Sequence, residues 1–287
     1  MSRISEIGFP GLGIRPFRID SVAFTIFNVD IAWYAVIITF GMVMAVLYCM
    51  LRARQVGITF DDVIDFALAA IPTGIVGVRL YYILTKLEDF PTFRDWIAIR
   101  DGGLAIYGGI IGGALAVLVM ARIKKINFLA FADCTMPGII LAQAIGRWGN
   151  FCNGEAFGYA TDIFCRMSLN NVLTGYETVM VHPCFLYESL WNIIGFILIN
   201  IFYSKRRYDG QIFVAVCGWY GLGRAWIEGL RTDSLYLPPI FGIDTLRISQ
   251  VLAIGIFVLC LAFLIYHAVK KTDKPLYFKV EKKEIKK

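Results

Sequence analysis

The sequence predicts an all-α, polytopic membrane protein with seven transmembrane helices, its N-terminus outside and its C-terminus cytoplasmic. Three observations carry that expectation. Hydrophobic residues fill 58% of the 287 positions and charged residues only 17%, where a soluble domain carries about 25% charged. Several apolar runs exceed 18 residues, long enough to cross a hydrocarbon core of ~30 Å. Basic residues also crowd into alternate connections, the pattern of cytoplasmic loops. This composition excludes a cytosolic globular enzyme, a disordered chain and a nucleic-acid binder. The net charge of +6 does not change that, because 8 of the 28 Lys and Arg lie in the last 18 positions. A basic tail beside a final apolar run reads as a cytoplasmic anchor facing anionic lipid.

The spans follow in order: about 31–52, 63–84, 104–121, 128–145, 185–203, 211–230 and 248–268. The first and last are the most apolar. The fourth carries Asp133 and Pro137, but without it the basic connections on either side would face opposite compartments. The connections after spans one, three and five, with the tail at 269–287, hold sixteen basic residues against ten on the other side. The segment 146–184 is therefore expected as a long external loop. No soluble domain boundary or internal repeat is visible, so the chain reads as one integral-membrane domain. The first twenty residues lack the basic-then-apolar pattern of a cleavable signal, and insertion is expected from internal segments. None of the seven cysteines forms a CxxC pair, so neither a metal nor a redox cofactor is expected. Cys152, Cys165 and Cys184 share the external loop, where a disulfide stays open.

This topology gives each polar residue a depth, at about 1.5 Å per helical residue. Tyr34, Arg79, Tyr107, Arg147 and Arg224 all fall within roughly 10 Å of the external boundary. An arginine in a membrane is costly unless partnered. For Arg79, snorkelling or a structural pair is the plain reading. Arg224 has Glu228 four residues on and Tyr220 four residues back, on one helix face. The convergence points further, to an anionic phospholipid headgroup, because guanidinium grips phosphate with two parallel hydrogen bonds. Gly108/Gly112 and Gly109/Gly113 are overlapping GxxxG pairs, which read first as a helix-packing face. Gly146-Arg147-Trp148-Gly149-Asn150-Phe151-Cys152-Asn153-Gly154-Glu155 is more specific, joining glycines, asparagines, an arginine and a glutamate at a membrane border. His182-Pro183 reads as the entry to the fifth span, and His267 as interfacial filler. No GxSxG elbow, HExxH or paired intramembrane aspartates occur.

These residues resemble the bacterial phosphatidylglycerol–prolipoprotein diacylglyceryl transferases. The segment Gly146–Glu155 resembles that family's GRxGNFxNGE signature. Gly102-Gly103-Leu104-Ala105-Ile106-Tyr107-Gly108-Gly109, His182-Pro183 through Leu186-Tyr187-Glu188, and Tyr220-Gly221 through Arg224 and Glu228 support it in the same order. The resemblance implies a seven-span enzyme of the bacterial plasma membrane with its site toward the outer leaflet. It implies transfer of a diacylglyceryl group from phosphatidylglycerol to the lipobox cysteine of a preprolipoprotein, forming a thioether and releasing glycerol phosphate. One departure stands out: many members carry histidine where this chain has Tyr107.

For such alkyl transfer, Arg147 and Arg224 are expected to clamp phosphate and stabilise the leaving group. Asn150 and Glu155 would hold the glycerol head. Tyr34, Tyr220, Arg79 and Glu228 complete the lipid site. Tyr107, Tyr34 or Tyr220 would orient the thiol or relay its proton, although a phenol of reference pKa ~10 is a poor base near neutrality. The partners are phosphatidylglycerol, the preprolipoprotein signal peptide and membrane lipids, with no nucleic acid. The alternative is an anionic-lipid transporter or flippase using the same arginines without chemistry. A transporter should carry polar residues through the full depth and repeated broken helices, whereas here the inner halves of spans one, three, five and seven are apolar.

Overall fold

Each expected span folds as a helix. The computed structural model describes residues 3–90, 92, 95–96, 103, 105–233 and 246–277. Gly102 and Leu104 of the glycine motif, and the tail from 278, lie outside the described residues. The helices are α1 (Trp33–Ala53), α2 (Phe60–Thr85), α3 (Ile106–Ile123), α4 (Phe128–Asn153), α5 (Cys184–Tyr203), α6 (Gln211–Ile227) and α7 (Ile248–Val269). Six of them, all but α6, are long and apolar enough to cross a membrane. The chain is thus mostly helical and multi-pass. At 17 residues, α6 spans only ~26 Å, and a 3₁₀ turn over Glu228–Leu230 continues it.

Local chemistry moves two boundaries. α2 starts at Phe60 because Thr59 and Asp62 form a reciprocal cap. The Thr59 hydroxyl accepts from the Asp62 amide and the Asp62 carboxylate accepts from the Thr59 amide, each at 3.2 Å. α4 runs to Asn153 rather than ending near 145. The segment expected to open an external loop is therefore the last two turns of a helix. That helix stops at Gly154, whose φ of +59° suits a residue without a side chain.

The all-α expectation is corrected by six strands: β1 (Ile4–Phe9), β2 (Ile14–Asp20), β3 (Val22–Ile26), β4 (Val29–Ala32), β5 (Met167–Asn170) and β6 (Val179–Val181). β1, β2, β5 and β6 form an antiparallel sheet in the order β2-β1-β5-β6, and β3 pairs with β4 as a separate hairpin. Ser5, Ile7 and Phe9 alternate along β1 and turn to one buried face. There Ile7 and Phe9 join Met167, Leu169, Val181 and Phe185 in an apolar core. Strands this short are hard to read from sequence, because their stability comes from partners far along the chain.

The chain divides into two compact units, 1–48 with 135–274 and 49–134 with 275–287. In the second, α2 lies against α3 at glycines. A Cβ on Gly108 would sit 2.0 Å from the Gly77 carbonyl oxygen, and one on Gly112 would sit 2.6 Å from that of Thr73. This is the packing face expected from the GxxxG pairs. Lys124 closes the far end of α3 on Asp62 and Asp65, at 2.8 and 2.5 Å. In the first unit, α5 and α6 are joined by stacked indoles. The Trp191 and Trp219 rings lie 4.3 Å apart at 16°. Each indole N–H donates to the other residue's carbonyl, at 3.1 and 3.0 Å.

Candidate active site

The first unit gathers charge at one end of α4, α5 and α6. Arg147 lies near the C-terminal end of α4, Glu188 near the start of α5 and Arg224 near the end of α6. Arg147 Nη2 donates to Glu188 Oε1. Arg224 Nη1 meets Glu188 Oε2 at 3.4 Å, and its Nη2 meets Glu228 Oε2 at 2.6 Å. One carboxylate thus holds two guanidinium groups, and a second closes the chain. The Glu188 and Glu228 side chains are 6% and 3% exposed and that of Arg224 is 16% exposed. Charges that deep require such pairing.

A second branch runs along the end of α4. Arg147 Nη1 donates to Asn150 Oδ1 at 3.3 Å, and Asn150 Nδ2 donates to Glu155 Oε1 at 3.1 Å. Asn153 donates to the same Glu155 oxygen at 3.1 Å. Arg147, Asn150 and Asn153 project from successive turns because i, i+3 and i+6 nearly share a helix face. Tyr34, the second residue of α1, lays its ring on Gly149, where a Cβ would be 2.7 Å from Cδ2. Tyr220 is one turn before Arg224 on α6. Arg247 seals the far side, donating to the Glu228 carbonyl and, at 2.9 Å, to the Tyr159 hydroxyl.

Around this network lie supporting pairs. Arg231 grips Asp233 with two bonds of 2.9 and 2.7 Å. Burial pushes the Asp233 carboxyl up, but the Arg231 hydrogen bond and charge outweigh it and hold the group below the usual carboxylate range. His182 Nδ1 lies 3.2 Å from the Tyr187 hydroxyl, which lies 3.5 Å from Cys165 Sγ. Burial pushes the His182 imidazole below its ordinary value. All seven cysteines are free thiols, so the loop disulfide left open by the sequence is absent.

Five expected residues therefore converge: Arg147, Asn150, Glu155, Arg224 and Glu228. Tyr34 packs beside them. Tyr107 and Arg79 belong to the second unit. Tyr107 is exposed, its ring 6.4 Å from that of Tyr81. Arg79 is buried and donates to the backbone carbonyls of Trp96, Gly103 and Asp95 at 3.0, 3.1 and 2.5 Å. The sequence reading assigns no role to Glu188, the centre of the network, although it lies in one of the motifs that carry the resemblance. The signal was available: it is an acid inside the apolar run of span five. Arg247 offered no such signal, since its partner Tyr159 is 88 residues away.

Two guanidinium groups held around one carboxylate carry donors of the kind that bind phosphate. A phosphate can take over the prongs that Glu188 aligns, in surroundings poor in water. A family profile described as prolipoprotein diacylglyceryl transferase matches residues 21–266. The phosphatidylglycerol–prolipoprotein diacylglyceryl transferase of Clostridioides difficile is 44% identical over 236 residues, covering 82% of this chain and 90% of its own. That of Enterococcus faecalis is 39% identical over 285 residues, covering 94% and 97%. That of Oceanobacillus iheyensis is 37% identical over 268 residues, covering 90% and 91%. The profile takes in α1 to α6 and most of α7, with Arg147, Glu188 and Arg224 inside it, and the chain belongs to the prolipoprotein diacylglyceryl transferase family.

Proposed function

We propose that this chain transfers the diacylglyceryl group of phosphatidylglycerol to the lipobox cysteine thiol of a preprolipoprotein. The observation that carries the reading is Glu188 holding Arg147 and Arg224 together at one end of membrane helices, in a chain so related. The cysteine sulfur bonds to the glyceryl carbon that bears the phosphate ester. The carbon–oxygen bond breaks, its electron pair stays on the phosphate oxygen, and glycerol phosphate leaves. Arg147 and Arg224 meet the charge that grows on that oxygen. Asn150 and Glu155 hold the glycerol head, with Tyr34, Tyr220 and Glu228 bordering the lipid. Tyr107 is assigned a positioning role toward the thiol, whose proton ends on the departing monoester of second pKa ~6. Arg79 is kept as a lipid-headgroup residue because an arginine inside span two calls for an anionic partner.

The proposal includes seven spans, with α6 and its 3₁₀ extension as the sixth. It places the N-terminus outside, the C-terminus in the cytoplasm, and the site toward the outer leaflet of a bacterial plasma membrane. The excess of basic residues after spans one, three and five supports that orientation. Purified protein, phosphatidylglycerol vesicles and a lipobox peptide test the chemistry by mass spectrometry. The peptide should gain one diacylglyceryl mass. An unmodified peptide, with a working relative as control, would sink the reading.

A further inference from the structure

The β3–β4 hairpin takes no part in the network above, yet it is built with two unlike faces. Phe24 opposes Ile31 and Ile26 opposes Val29, whereas Thr25 opposes Asp30. Thr25 Oγ1 donates to Asp30 Oδ1 at 2.8 Å. Successive side chains point to opposite faces of a strand, so one face is apolar and the other polar. Phe24, Ile26 and Val29 are all exposed, and Phe27 at the tip is 97% exposed. Phe27 and Asn28 have φ of +48° and +62°, a left-handed two-residue turn. Asparagine tolerates that conformation, but a bulky aromatic rarely adopts it. The chain keeps a strained, uncovered phenylalanine at the point of an amphipathic ribbon.

A two-stranded hairpin is marginal alone in water, and this one is attached directly to a membrane helix. β4 ends at Ala32 and α1 begins at Trp33 with no residue between. The Trp33 amide donates to the Ser21 carbonyl at 2.9 Å, tying the base of the hairpin to the helix start. α1 is a membrane-crossing helix by length and composition. Its first residues, Trp33 and Tyr34, are exposed aromatics of the kind that mark the membrane interface. Four residues of β4 reach only ~13 Å, so the ribbon stays at that level. Lying flat, it turns its polar face to water and its apolar face to acyl chains. We propose that β3–β4 is a bilayer-interface anchor, with Phe24, Ile26, Phe27 and Val29 resting on phospholipid beside α1 and the Thr25–Asp30 pair facing water.

This does not depend on the transfer reading. The photoreactive residue p-benzoyl-phenylalanine, placed at Phe27, Phe24 or Asp30 of the full chain, tests it directly. Each variant is set in nanodiscs of dioleoylphosphatidylcholine, irradiated and weighed intact. Positions 27 and 24 should each gain one phospholipid mass, and position 30 should gain several-fold less. Position 24 keeps the test alive if the strained turn does not accept the larger ring. Chain-to-chain adducts, links within the chain, or equal lipid capture at 24, 27 and 30 would overturn the proposal. So would capture of an added lipobox peptide in preference to lipid.

Discussion

Glu188 presents one carboxylate oxygen to Arg147 and the other to Arg224, so it links the two guanidinium groups, which Asn150 and Glu228 also hold. Replacing Arg147 with alanine is expected to cut peptide modification by about a hundredfold or more, the cost of losing a fixed donor to a leaving oxyanion. Arg147→Lys should recover little, because a point charge does not reproduce the two-pronged contact. The combined Arg224→Gln and Glu228→Gln change removes a buried pair together and leaves Glu188 with Arg147. It should therefore melt near the parent while remaining inactive, and an active double variant would reduce Arg224 to a structural partner. Tyr107→Phe deletes only a hydroxyl. A positioning role predicts about a tenfold loss of rate, or ~1.4 kcal/mol, and full activity would show that the ring merely packs. Asp233 has its pKa depressed in the folded protein. The unfolded chain binds that proton first as pH falls, so the contribution is present above the reference pKa of ~3.9 and fades through lower pH. Asp233→Asn should flatten that acid limb of a melting-temperature profile. Arg224 and Glu228 were legible because charge inside an apolar span demands an account, and Arg147, Asn150 and Glu155 because they share one polar segment at a membrane border. The link from Arg247 to Tyr159 was not, because nothing local announces a contact made across the fold.

At the scale of elements, long apolar runs marked the seven long helices among the described residues, while caps set where they begin and end. The reciprocal pair at Thr59 and Asp62 could be read from its spacing. The extension of α4 to Asn153 could not, since glycines at 146 and 149 look like a turn until Tyr34 is seen filling the space beside Gly149. The sheet was also hidden, because Glu6 pairs with Asn170 across 164 positions and short strands lack a periodic signature of their own. The α2–α3 contact gives a sharp contrast between two glycines of one motif. A Cβ at Gly108 would fall 2.0 Å from the Gly77 carbonyl, whereas one at Gly113 would be 3.7 Å from that of Ala70. Gly108→Val is expected to cost about 1–3 kcal/mol or more through overpacking, seen as a lower melting temperature. Gly113→Ala should melt near the parent.

For the whole molecule, composition marks a multi-pass helical chain, and charge asymmetry predicts a direction. A fluorescent protein fused after Lys287 should fold and emit, while an externally active phosphatase at the same point should stay silent; the reverse would invert the proposed topology. The division into two units was not legible, because it cuts through α1 and α4 and no hydropathy change marks it. Within the first unit, α5 and α6 must stay in register for Glu188 to reach Arg224, and Trp191 against Trp219 holds them there. Two indoles stacked 4.3 Å apart and nearly parallel are also coupled chromophores. Their ultraviolet transitions split into a paired circular-dichroism band that a solitary indole does not produce. The protein therefore carries an intrinsic optical gauge of helix separation, readable during turnover without any added dye.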